Sequence, residues 1–294
     1  MNIGIITDQI SQDLEQALQI ISSKDYQYVE IHNVFGKSVE ECSQEEAIKI
    51  KKLLDQYHLK CSNLSTTIFF LCPLYDGDEV SLFNDSFYSI KGNVDVHLKY
   101  LENACKVAKI VGCNKIRAFP FRFPDNRKGP YGGQEHQKEI IKNLKKAEKI
   151  VRENNCVLIL ENCPYSHCPK GEMTWNMVKE LSSPYVQLLW DPANSYRAVK
   201  ENVPKEYLKK NLLEELELIY PYISHIHIKD YHYDESIKDK PYLHEAIYDG
   251  DIDFDLLFQY LKDRNYDGVL SLEPEVSFDK TILCMDRLKK ITTK

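Results

Sequence analysis

VLILE (157–161), VQLLWD (186–191), ISHIHI (223–228) and VLSLE (269–273) are four short apolar runs in the second half of the chain. Each carries a metal-type ligand at or near its end: Glu161, Asp191, His227 and Glu273. Apolar runs of this length, each stopping in loop-like sequence, read as buried parallel strands. Side chains alternate along a strand, so Val157, Ile159 and Glu161 share a face, as do Val269, Ser271 and Glu273, and as do His225, His227 and Lys229. Taken singly, each ligand has an ordinary explanation: a solvated Glu at a strand end, an Asp–Pro turn, a hydrogen-bonded core His. Four together at one end of four parallel strands are different, because converging carboxylates repel unless a cation lies between them. Two Glu, one Asp and one His form a mostly oxygen-donor set for one divalent ion, Mn²⁺ first, with Mg²⁺, Co²⁺ or Zn²⁺ as alternatives.

Working outward, strand signals at Ile3–Asp8, Tyr28–His32, Leu59–Ser65 and Lys115–Phe119 precede these four. Amphipathic helix signals follow the eight strands over Asp13–Ser23, Gln44–Tyr57, Val94–Ile110, Gln134–Glu153, Trp175–Leu181, Leu208–Ile219, Phe254–Arg264 and Lys280–Lys290. Ser43 is placed to cap the second helix and Gly112 to stop the third. Eight alternating units without a break in composition predict an α/β chain folded as a single (β/α)₈ TIM barrel over residues 1–294. The rival, a doubly wound open sheet, would carry a Gly-rich phosphate loop, and neither GxGxxG nor GxxxxGK[ST] occurs. A barrel carries its active site at the C-terminal ends of its strands. The longest loops there, 66–93, 120–133 and 229–252, are rich in Phe and Tyr and are expected to act as lids or partner surfaces.

At 294 residues, 43% hydrophobic and 28% charged, the composition is that of a soluble globular protein. A net charge of −7 argues against a nucleic-acid-coating surface. The N-terminal MNIGIITDQI lacks the features of a signal peptide, and no apolar run approaches the ~18 residues of a membrane span. Nine scattered cysteines fit reduced thiols, and Cys163 and Cys168 have no second pair at zinc-site spacing. The expectation is a cytoplasmic protein with a small-molecule partner, no nucleic acid and no membrane; homo-oligomerisation through the aromatic loops is left open.

The stretches LENCP (160–164), WDPANS (190–195), HIHIKD (225–230), DGDIDF (249–254) and GVLSLEPE (268–275) resemble the sugar phosphate isomerase/epimerase family of xylose isomerase-like barrels. That family includes ketose 3-epimerases, inosose dehydratases, hydroxypyruvate isomerases and endonuclease IV-type repair enzymes. The resemblance implies that Glu161, Asp191, His227 and Glu273 are the metal ligands and that Glu161 and Glu273 double as the acid/base pair, exchanging a proton next to a carbonyl. The substrate it implies is a small polyhydroxylated ketone or aldehyde, free or phosphorylated. Three positions depart from the ketose epimerase pattern: Asn194 stands where a His is common, His167 where a second Glu falls, and Tyr233 where an Arg falls. The extra His ligands of the endonuclease IV type are missing, with Ser65 and Thr66, Arg117 and Phe119, and Asn194 in their places. Candidate substrate contacts are Lys229, His167, Asn194, Arg117 and Glu30, with His32 and Arg122 behind them; Arg and Lys are the residues that would hold a phosphate or carboxylate. A lyase that starts with the same α-proton abstraction, a dehydratase or 3-keto-glycoside-cleaving enzyme, is the alternative. A non-catalytic sugar-binding barrel and a repair nuclease rank below it.

Overall fold

The apolar runs become eight parallel strands: β1 Asn2–Ile6, β2 Tyr28–Ile31, β3 Lys60–Ile68, β4 Lys115–Ala118, β5 Val157–Glu161, β6 Val186–Trp190, β7 Ile223–Ile228 and β8 Val269–Leu272. In the computed structural model, which describes residues 1–82, 87–238 and 240–292, each strand pairs with its neighbours in sequence and β8 closes on β1. The closing register sets Asn2 opposite Val269 and Gly4 opposite Ser271. A Cβ on Gly4 would lie 3.0 Å from Val269 Cγ1 and 3.3 Å from Tyr28 Cβ, so a side chain there would push the neighbouring strands' side chains by a few tenths of an ångström.

Eight helices surround the barrel: α1 Leu14–Ser23, α2 Gln44–Gln56, α3 Val94–Val111, α4 Gln134–Glu153, α5 Gly171–Leu181, α6 Leu212–Ile219, α7 Phe254–Asp263 and α8 Phe278–Thr292. Their starts follow from short polar side chains. Asp13 accepts from the Gln16 amide, Ser43 and Glu46 form a capping box, and Asn93 accepts from the Val96 amide. Gly112 ends α3 at φ 93°, a left-handed conformation open to glycine at little cost. Each helix buries one stripe, such as Ile140, Leu144, Ala147 and Val151 of α4 at spacings of three and four. These stripes and the outward strand residues form one large core; a smaller cluster of Phe70, Leu71, Phe119 and Cys163 sits apart from it, on the βα loops.

Helix α5 starts at Gly171 rather than Trp175 and β1 ends at Ile6 rather than Asp8, and three further departures from the sequence expectation have a local reason. Strand β3 runs past Ser65 to Ile68 because Thr66 and Thr67, though polar, bond the Arg117 carbonyl and the buried Glu40 carboxylate. Helix α6 starts at Leu212 rather than Leu208, since Asn211 and Glu214 build a capping box there and Lys205–Leu208 form only a single 3₁₀ turn. Asp191-Pro192 opens a short helix, Pro192–Tyr196, instead of a simple turn. The 229–252 loop contains an antiparallel pair, Asp230–Tyr233 with Tyr242–Glu245. Of the expected lid loops, residues 83–86 and 239 lie outside the described residues. All nine cysteines are free thiols, Cys113 half-buried and the others buried. Among the described residues, no helix is long and apolar enough to cross a membrane.

Candidate metal centre

Glu161 closes β5, Asp191 follows β6, His227 lies one residue before the end of β7 and Glu273 follows β8. Four adjacent strands thus deliver four side chains to one point, and one ligand atom from each lies within 4.8 Å of all the others. All four residues are buried. Asp191 Oδ2, His227 Nδ1 and Glu273 Oε2 are buried and have no well-aligned hydrogen bond. The two carboxylate oxygens have the Lys229 ammonium 3.1 and 2.6 Å away, and His227 Nδ1 lies 3.2 Å from Glu273 Oε2, so the three atoms already draw one cation and face a common point where another would be held.

One layer deeper, Glu30 at the end of β2 reaches across the barrel. Its Oε2 lies 3.1 Å from His227 Nε2 and its Oε1 2.5 Å from His225 Nε2. Asn63 and Ser65 also donate to it. Glu30 therefore takes the Nε2–H of His227 and turns Nδ1, with its lone pair, toward the carboxylates, the arrangement that orients metal-binding histidines. Burial disfavours an imidazolium here, yet Glu30, Glu273 and Glu161 outweigh it and hold the His227 pKa well above its usual value. A proton on His227 and a cation beside Nδ1 answer the same excess of negative charge, and each excludes the other.

Two buried cations share the site. Arg117 Nη1 lies 3.2 Å from Glu161 Oε2 and 3.3 Å from Glu273 Oε1, while its other nitrogens donate to the Thr66 and Ser65 carbonyls. Lys229 Nζ lies 2.6 Å from Glu273 Oε2, 3.1 Å from Asp191 Oδ2 and 3.3 Å from Glu275 Oε1. Burial opposes the ionised form of Glu273, but Lys229, His227 and Arg117 bring its carboxyl well below the usual range. Burial raises Asp191 to about 6, with Lys229 pulling the other way. Four buried carboxylates (Glu30, Glu161, Asp191, Glu273) thus face two buried cations, Arg117 and Lys229. With neutral imidazoles the carboxylates outnumber the cations even before Glu275, 3.3 Å from Lys229, is added, and a divalent ion suits that excess. Donor set, convergence and charge all fit such an ion.

The other sequence candidates separate by position. Asn194 is in the centre: its Nδ2 donates to Glu161 Oε1 at 3.2 Å and its amide to Asp191 Oδ1 at 2.9 Å. Glu30 lies beneath the ligands, fully buried behind His227 and His225, and not at a substrate surface. His167 is not brought to the cluster; its ring packs against Phe123 at 5.1 Å and His136 at 4.7 Å, with neither nitrogen hydrogen-bonded. Lys229 and Arg117 spend their donors on carboxylates and carbonyls, which leaves little for an anionic substrate. The sequence reading missed Asp8, which burial raises to about 6 and which feels both Arg117 and Glu273. It directly follows β1 and a Thr, the same strand-end signal that marked Asp191. His32 was ranked low; its Nδ1–H donates to the Ser65 carbonyl at 2.8 Å and burial lowers its pKa to about 3, so it stays neutral beside the site.

Comparison with known proteins agrees with this architecture. No curated protein matches the sequence significantly. Among solved structures, the probable 3-DHS dehydratase AsbF of Bacillus anthracis superposes with a TM-score of 0.69 at 16% identity, over 98% of this chain and 99% of that one. The 3-keto-D-glucoside 4-epimerase YcjR of E. coli, in its apo form, gives 0.69 at 18% identity over the full length of both chains. The IOLI protein with a bound zinc atom gives 0.68 at 16% identity, over 99% and 96%. At such identities the likeness is one of fold. The family model described as "Xylose isomerase-like TIM barrel" matches residues 18–287, and the chain belongs to that family.

Proposed function

We propose that the protein is a divalent-metal-dependent isomerase or epimerase of a small polyhydroxylated carbonyl compound. Glu161, Asp191, His227 and Glu273 hold the ion, and Glu161 and Glu273 also move the proton next to the carbonyl. The observation that carries this reading is the convergence of those four buried side chains, one ligand atom from each lying within 4.8 Å of all the others. The oxygen-rich donor set favours Mn²⁺. When bound, the ion supplies Lewis-acid polarisation of the carbonyl and of a neighbouring hydroxyl.

The protein's own groups do the rest. Glu273, held ionised by Lys229, His227 and Arg117, is the base that removes the α-proton. Glu161 ends the strand at the other limit of the ligand arc and returns a proton from there. Arg117 touches both carboxylates and fixes their separation, and Asn194 holds the second oxygen of Glu161. Phe119 lies under the Arg117 guanidinium, 5.0 Å from ring centre to Cζ, and with Phe70 keeps that side of the site apolar.

Elimination is the second reading: it starts with the same α-proton abstraction by Glu273 and differs in losing a hydroxyl or glycosidic oxygen from the next carbon. Incubation of keto-sugars in D₂O tests both. Isomerisation exchanges deuterium into the substrate with no group lost; elimination releases water or an aglycone. Glu273→Gln and Glu161→Gln are each expected to slow exchange by about 10²-fold or more with the fold intact by circular dichroism. Full activity in either variant would overturn the assignment.

A further inference from the structure

The four ligands come from β5 to β8; the next two strands around the barrel, β1 and β2, are followed by Asp8 and His32. Ile5 stands opposite Leu272 and Ile6 opposite Glu30, so Ile6, Glu30 and Glu273 share one layer of the barrel. Two residues further along, Asp8 and His32 stand one layer nearer the mouth. The Asn33 amide donates to Asp8 Oδ1 at 3.4 Å, and the Glu275 amide to Gln9 Oε1 at 2.8 Å. These bonds tie the ends of β1, β2 and β8 together around the Asp8 carboxylate.

Both side chains are acceptors with capacity to spare. His32 is buried, its Nδ1–H goes to the Ser65 carbonyl at 2.8 Å, and its Nε2, left with the lone pair, has no hydrogen-bond partner. A buried acceptor is normally satisfied, so Nε2 calls for a donor from outside the chain. Asp8 is half-buried, and no cation among the described residues lies within ion-pair distance of it. Both groups are within electrostatic reach of Arg117 and Glu273, which places them beside the metal centre. A row of rings joins them to it. His32 packs on Phe87 at 4.5 Å, Phe87 on Phe70 at 5.3 Å and Phe70 on Phe119 at 4.9 Å, and Phe119 lies under the Arg117 guanidinium. Apolar rings beside a few fixed polar atoms are the usual lining of a small-molecule site. The C–H face of a sugar suits the rings, and its hydroxyl protons suit the two acceptors.

We propose that the Asp8 carboxylate and His32 Nε2 form a hydroxyl-accepting subsite for the end of the substrate furthest from its carbonyl, and that the substrate is therefore an unphosphorylated polyhydroxy compound. A hydroxyl offers each acceptor a proton, whereas a phosphate brings acceptor oxygens and negative charge up to a carboxylate. Arg117 and Lys229, taken up by carboxylates, offer such a group little in return. The subsite deepens the reading of the metal centre, and rests on it only for where the carbonyl sits.

The test measures deuterium exchange in the Mn²⁺-supplied protein with three matched sets: free ketohexoses, the same ketoses lacking their two outermost hydroxyls, and their terminal phosphates. Calorimetric titration with the corresponding hexitols, which have no carbonyl to react, runs beside it. The free ketose that exchanges fastest should show a KM about tenfold or more below those of its dideoxy counterpart and its phosphate, the size of one hydrogen bond to a charged group. Asp8→Ala should raise that KM by a similar factor with little change in kcat and leave the dideoxy compound unaffected. Asp8→Asn, which keeps an acceptor oxygen, should recover part of the loss. His32→Phe, which keeps a ring against Phe87, should raise the KM of the free ketose alone, by less than Asp8→Ala does. Equal KM values for free and dideoxy ketoses, a lower KM for the phosphates, or variant losses that are the same for both sets overturn the subsite and leave the metal chemistry standing. Absence of exchange with every compound, combined with hexitol binding that Asp8→Ala weakens, overturns the chemistry and leaves the subsite. Absence of both exchange and binding overturns both.

Discussion

His167 shows how a single side chain can look functional in sequence and be set aside by its surroundings. It follows Glu161 by six residues, within reach of the site along the chain, but the backbone turns its ring into Phe123 and His136. Burial lowers its pKa to about 3. An unfolded His takes up a proton near pH 6.5, whereas the folded one refuses it until about 3. The stability it contributes is therefore present above pH 6.5 and is lost as pH falls through that window, at up to about 1.4 kcal/mol per pH unit. His97, pushed to about 4, and His32, to about 3, act in the same direction. His167→Phe, a ring of similar size without unmet nitrogens, should keep or raise the urea midpoint at pH 7.5 and flatten its decline toward pH 4.5; an unchanged slope would contradict this account. The convergence of Glu161, Asp191, His227 and Glu273 was legible from sequence because chain position fixes a strand end and alternation fixes a face. His167 sits on a loop, where sequence spacing says nothing of direction.

At the scale of elements, the barrel matters because it lets opposite strands meet. Glu30 on β2 supports His227 on β7, a strand reached through β1 and β8 around the closed barrel. No local pattern announces that pairing; parity placed His225 and His227 on one inward face, but which carboxylate lay behind them depended on closure. Replacing Glu30 with Gln keeps an acceptor for the His227 Nε2–H and removes the charge that makes Nδ1 a strong donor. Mn²⁺ affinity, measured by calorimetric titration, should fall by about 10- to 100-fold. Unaltered affinity would mean that Glu30 serves only as the hydrogen-bond partner of His225. The strand and helix bounds that shifted, at β3 and α6, did so where a polar side chain found a partner distant in sequence or a better cap nearby.

For the whole molecule, eight repeats of strand and helix were readable because each unit alternates a buried apolar run with an amphipathic one, and closure of the sheet follows from the count. What the count does not carry is charge balance. Only in the folded barrel do Arg117 and Lys229 come to face four buried carboxylates, leaving an excess of negative charge that a divalent ion suits. Elemental analysis of the purified protein, with and without His227→Asn, measures this most directly. The account predicts close to one divalent ion per chain in the native protein, removed by chelator with a drop in Tm and absent from the variant. A native protein that stays metal-free after Mn²⁺ is supplied, with its Tm unmoved, would contradict it.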